Sequence, residues 1–133
     1  MHGKFITFEG IDGSGKSTQL RMLVDALRVK GVDLLATFEP GDTPLGRRLR
    51  EAFLETEEMV APIAELLLFA ADRAQHVEYL IKPALEAGRI VISDRYADAT
   101  AAYQGAGRGF DRETIDQVIE LATDAIALPR GVL

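Results

Sequence analysis

The chain has 133 residues, 47% of them apolar, which is enough for one domain with a modest core and argues against disorder. Fifteen basic residues stand against 21 acidic ones, and the net charge of −6 excludes a general binder of nucleic acid or of an anionic membrane. With no cysteine there is neither a disulfide framework nor a thiolate metal site, which fits a cytoplasmic protein.

The predicted elements alternate strand and helix. Strand-like sequence begins by Phe5, which leaves no room for a signal peptide, and no apolar run approaches membrane-spanning length. A strand near 4–9 leads into a glycine-rich turn and a helix near 16–30, stopped by Gly31. Leu34 to Phe38 form a second strand, and Glu39-Pro40-Gly41-Asp42 is a loop. A short helix near 44–54 carries Arg47, Arg48 and Arg50, at least two of them on a solvated face. Met59 to about Ala87 is helical, with Ile63, Leu67, Ala71, Ala74, Val77 and Ile81 keeping the apolar period and Pro83 kinking or restarting it. Ile90-Val91-Ile92-Ser93 is a short apolar strand of the kind buried in a parallel sheet. A helix near 97–104, a loop holding Gly105, Gly107 and Gly109, and a last helix follow. Asp111 can cap that helix, with Ile115, Val118, Ile119, Ala122 and Ile126 on one face; Pro129 and Gly131 close the chain. The fold class is therefore α/β: a three-layer αβα arrangement around a parallel sheet, three strands of which lie in this chain, with residues 1–133 as a single domain.

Gly10-Ile11-Asp12-Gly13-Ser14-Gly15-Lys16-Ser17 matches the P-loop pattern at every fixed position, between a strand and a helix. The glycines let successive N–H groups face one anion, and the helix N-terminus adds its positive dipole end. Lys16 brings a charge to the outer phosphates, Ser17 can ligate Mg²⁺, and Gly10, Gly13, Ser14, Gly15 and Thr18 complete the cradle. Asp94 follows the third strand directly, and parallel strands end at one edge, so its carboxylate can reach the same metal shell, with Arg95 beside it. Asp12 within the loop would repel phosphates, so it points to a sugar hydroxyl or a magnesium-bound water. Phe69 and Arg73, four apart, share a helix face and can stack on and hydrogen-bond a planar base. Thr100, Tyr103 and Gln104 sit near the same crevice. His2 and His76 offer no metal spacing and are structural or exposed.

These stretches together resemble the thymidylate kinase family. Phe8 to Gln19 is similar to its P-loop, Glu39-Pro40-Gly41 with Thr43 to its second loop, Leu67 to Ala74 to its base-binding helix, and Asp94-Arg95-Tyr96 with Ala102 to Gly105 and Gly107-Arg108-Gly109 to its remaining signature. The resemblance runs from about residue 3 to residue 128. It implies a P-loop kinase fold and ATP- and magnesium-dependent phosphorylation of dTMP to dTDP. By the same resemblance, Lys16 and Ser17 serve ATP and the metal, Asp12 holds the dTMP 3′-hydroxyl, and Phe69 stacks on thymine. Arg73 bonds a thymine carbonyl, Arg95 holds the acceptor phosphate and Thr100 faces the base edge. Tyr103 lies under the deoxyribose, and Gln104 orders the acceptor site. Lys16, Asp12 and Arg95 are the catalytic candidates. A homodimer of the complete protein is implied, with the long helix near 60–82 as its face. Phe38, Asp42 and Ala99 stand where the family usually has arginine, glycine and serine. The family's bacterial-type lid arginine lies beyond Leu133, so the 133 residues alone are expected to be a catalytically impaired, incomplete kinase domain. Another P-loop kinase of deoxynucleosides or nucleotides, or a non-catalytic nucleotide-binding fragment, are the alternative readings.

Overall fold

A computed structural model describes residues 3–8, 16–94 and 111–123, without the side chains at 16, 17 and 112. Its elements are β1 (Lys4–Phe8), α1 (Lys16–Val29), β2 (Leu34–Phe38), α2 (Pro44–Glu55), α3 (Pro62–His76), a π-helical segment (Val77–Ile81), α4 (Lys82–Glu86), β3 (Ile90–Asp94) and α5 (Arg112–Thr123). The strands form a parallel sheet in the order β1-β3-β2, and the register sets Phe8 and Phe38 on either side of Asp94. All three strands therefore end at one edge.

Strand alternation sends side chains to two helical layers. On one face Phe8, Leu34 and Ile92 pack with Val24 of α1, flanked by Leu20, Leu23 and Leu27. On the other, Phe5 and Val91 pack with Val77, Ile81, Ala84 and Leu85. Farther out, Leu66 of α3 meets Ile115 of α5, with Val118 and Ile119 alongside. This is the expected three-layer arrangement. β1 lies at one end of the described sheet, with Phe5 and Phe8 buried between the layers.

The helix ends follow local chemistry. Thr43 caps α2, its hydroxyl accepting from Gly46 N at 2.8 Å, and Pro44 occupies the first turn. Gly31 and Gly88, both at φ +80°, end α1 and α4, with the same pair of closing bonds: Val32 N to Leu27 O and Arg89 N to Ala84 O, each at 3.0 Å. Asp111 caps α5 as expected: its Oδ1 accepts from Thr114 N at 2.7 Å, which holds its carboxyl below the usual range. Among the described residues no helix is long and apolar enough to cross a membrane.

Two expectations for the long helix are corrected. It starts at Pro62, not near Met59. The apolar stripe begins on the wrong side: Ile63 and Leu67 are 49% and 53% exposed, and Ala71 and Ala74 are exposed, whereas Glu65, Leu66, Asp72, Arg73 and His76 are buried. Only from Val77 onward does the stripe face the core. Pro83 stands where the helix restarts, as expected, in the first turn of α4, just after the π turn in which Lys82 N reaches Val77 O. The buried series Arg73, Val77, Ile81, Leu85 has a spacing of four, which drifts around an ideal α-helix; the wider π turn takes up that drift.

Candidate functional site

The strand ends, the start of α1 and the loop after β2 meet at one edge of the sheet. Glu39 N donates to Asp94 O at 3.1 Å, joining the loop to the end of β3. Thr7, Ser93 and Thr37 lie in register across the three strands, all buried, which places a row of hydroxyl-bearing residues next to the edge. Lys16 opens α1, and Thr18 is exposed on its first turn. Gly10, Asp12, Gly13, Ser14 and Gly15 lie outside the described residues, as do Arg95, Ala99, Thr100, Tyr103, Gln104 and the elements expected near 97–109.

The centre of the described site is a buried polar cluster. Glu39 is clamped from two sides: Arg73 Nε donates to Oε1 at 2.6 Å, and His76 Nδ1 lies 2.6 Å from Oε2. All three are buried, with Arg73 and His76 only 2% and 1% exposed. His76 Nε2 lies 2.6 Å from the Thr37 hydroxyl, which also contacts Asp42 Oδ2. Asp72 Oδ1 accepts from Gly41 N at 2.9 Å. The loop after β2 is thus tied to α3 by both backbone and side chains. Gly46 permits the close approach of α2, since a Cβ there would run into Asp72 Oδ1 and Thr43 Oγ1.

Of the two base-reading candidates, Arg73 is turned into this cluster and Phe69 lies at its rim, half-buried. The Phe69 ring packs on Phe53 with centroids 6.2 Å apart at 57°. Phe53, Leu49, Arg50, Pro40 and Asp72 line one cleft with Phe69, between α2 and α3. Phe69 and Arg73 also share a second cleft, against Val118 and Ile119 of α5. Arg47, Arg48 and Arg50 are all exposed, and the aliphatic part of Arg50 lies over Gly41. Sequence reasoning placed Arg73 correctly on the Phe69 face but missed Glu39 as its anchor; His76, expected to be structural or exposed, is structural, buried against that anchor. The signal for the helix residues was that the polar Asp72, Arg73 and His76 precede the apolar Val77 on one buried face; Glu39 had none.

Burial pushes the Asp72 carboxyl up from 3.8 to about 6, and nearby Glu39 adds to the rise; the Gly41 N–H, His76 and Arg73 pull it down. Folded protein therefore holds this proton at higher pH than the unfolded chain does. The contribution of Asp72 to stability is greatest below pH 3.8 and is lost as pH rises to about 6. Asp72→Asn keeps an acceptor for Gly41 N–H and removes that slope. Thermal unfolding at acid and neutral pH is expected to show the variant more stable than wild type at pH 7, by on the order of 1–2 kcal/mol after solvent screening. A variant that tracks the wild type at every pH contradicts this.

The thymidylate kinase family model matches residues 8–129. A thymidylate kinase of Halothermothrix orenii is 52% identical over 124 residues, covering 93% of this chain and 60% of the relative. One from Parasynechococcus marenigrum is 56% identical over 133 residues, covering 95% and 64%. The crystal structure of thymidylate kinase from Ehrlichia chaffeensis superimposes with a TM-score of 0.85 at 41% identity, covering 97% of this chain and 73% of that one. The chain spans about 60–64% of the length of the two curated relatives. Its fold, motifs and sequence agree, and the chain belongs to the thymidylate kinase family.

Proposed function

We propose that the protein phosphorylates dTMP to dTDP with ATP and magnesium, as a cytoplasmic enzyme of dTTP synthesis. The observation that carries the reading is the placement of Phe69 and Arg73, one turn apart on α3, with Glu39 fixing Arg73 at the sheet edge from which the P-loop departs. Phe69 stacks on thymine and Arg73 bonds a thymine carbonyl. Discrimination then comes from a buried, oriented guanidinium rather than a mobile surface charge.

The phosphates are held by the backbone of Gly10, Gly13, Ser14 and Gly15 and by Lys16 and Thr18. Arg95 holds the acceptor phosphate in line. Asp12 binds the sugar 3′-hydroxyl, Thr100 and Gln104 order the acceptor, and Tyr103 excludes a 2′-hydroxyl. The donor set fits magnesium: the hydroxyl of Ser17, near the start of α1, and the carboxylate of Asp94, at the end of β3, are hard oxygen donors from elements that meet at one edge. When bound, the ion neutralises charge on the transferring phosphoryl group. Homodimerisation of the complete protein is supported by the exposed Ile63 and Leu67 on α3.

Acceptor-dependent formation of ADP from ATP is the test, with dTMP, UMP and dGMP offered as acceptors and dTDP, UDP and dGDP as the respective products. dTMP is expected to be used best. Arg73→Ala should lower the preference for dTMP by on the order of 1–3 kcal/mol, because a carbonyl is left unpaired in a partly closed site. Equal use of all three acceptors overturns the reading.

A further inference from the structure

The contacts around His76 need more hydrogens than a neutral ring supplies. An ionised carboxylate only accepts, and a threonine hydroxyl has one hydrogen to give. Thr37 Oγ1 touches both Asp42 Oδ2 and His76 Nε2, the latter at 2.6 Å. With its hydrogen given to Asp42, Thr37 must accept from Nε2–H. On the far side of the ring Nδ1 lies 2.6 Å from Glu39 Oε2, so it also donates. Both ring nitrogens then carry hydrogen. Asp42, three residues beyond Glu39, dictates this through the hydroxyl, because a partner that donated to Thr37 would free the hydroxyl to donate to Nε2.

The charged groups facing the ring among the described residues are Glu39 and, through Thr37, Asp42, with Arg73 and Asp72 from its own helix. Glu39 uses one oxygen for His76 and the other for Arg73 Nε at 2.6 Å. Losing the second ring hydrogen sets two acceptors against each other somewhere between Glu39 and Asp42, and the anchor of Arg73 loosens.

We propose that His76 is a positioning residue for Arg73, acting through Glu39, and that Asp42, acting through Thr37, sets the pH range over which His76 holds it. The consequence for ligand rests on the reading of Arg73 as base-facing; the relay does not. The test is NMR of the ring nitrogens in the ¹⁵N-labelled 133-residue chain over a pH series, the resonance assigned with His76→Gln. Thr37→Val and Asp42→Asn should each lose the second ring hydrogen about one pH unit lower than wild type, a tenfold change in proton affinity. Thr37→Ser, which keeps the hydroxyl, should restore the wild-type profile. Thr37→Val still carries the Asp42 charge, so an unchanged profile in that variant overturns the relay.

Thymidine, which has no phosphate to titrate, is the second probe. Its affinity should fall as pH rises through loss of the ring hydrogen, and at a lower pH in Thr37→Val. Affinity indifferent to Thr37→Val while the ring responds overturns the positioning role. A ring that responds as expected in a chain that binds no thymidine supports the relay and overturns the acceptor reading.

Discussion

Glu39→Ala should be among the most damaging single changes in the chain. It strips the buried Arg73 guanidinium and the His76 ring of one shared carboxylate, and breaking a buried pair from one side costs about 3–5 kcal/mol because the remaining charge stays buried. Glu39→Gln retains the shape, and its amide can accept from Arg73 and donate to the ring, so about 1–3 kcal/mol is expected instead. Denaturant unfolding of both variants checks the ordering. An alanine variant no worse than the glutamine one would mean that Glu39 is not the shared anchor described above.

The second large effect belongs to the phosphate site. Lys16 opens α1 directly after the glycine turn and is the side chain assigned to the outer phosphates. Lys16→Ala should cost about 2–4 kcal/mol in nucleotide binding or in transition-state stabilisation, while leaving folding nearly unchanged because the residue stands at the first position of the helix and alanine is a good helix former. Titration of both forms with a non-hydrolysable ATP analogue separates the two effects. Equal affinities would remove Lys16 from the site.

Much of this architecture is legible in the sequence because local chemistry writes it. Gly31 and Gly88 stop helices by their positive φ, and Asp111 caps α5 through a single side-chain bond. The β3 strand shows as a continuous apolar run because both of its faces are covered by helices. The first half of α3 misleads for the opposite reason. Its inward face carries Asp72, Arg73 and His76, so hydrophobic periodicity selects Ile63 and Leu67 on the outward side. Glu39 and His76 are 37 positions apart, and no spacing rule links a loop carboxylate to a helix imidazole across a sheet edge. Only the parallel order, with β2 beside β3, brings that loop beneath α3.

Thymine reading by the face of α3 that carries Phe69 and Arg73 is open to observation residue by residue. Titration of the ¹⁵N-labelled chain with dTMP, observed by NMR and repeated with dGMP, tests it most directly. dTMP is expected to shift the Arg73 Nε–H resonance and the amides of Phe69 and Gly41 most strongly, dGMP not to reproduce the pattern, and Arg73→Ala to abolish it. Binding of dTMP that leaves those resonances in place, or an identical response to dGMP, would contradict thymine reading at this face.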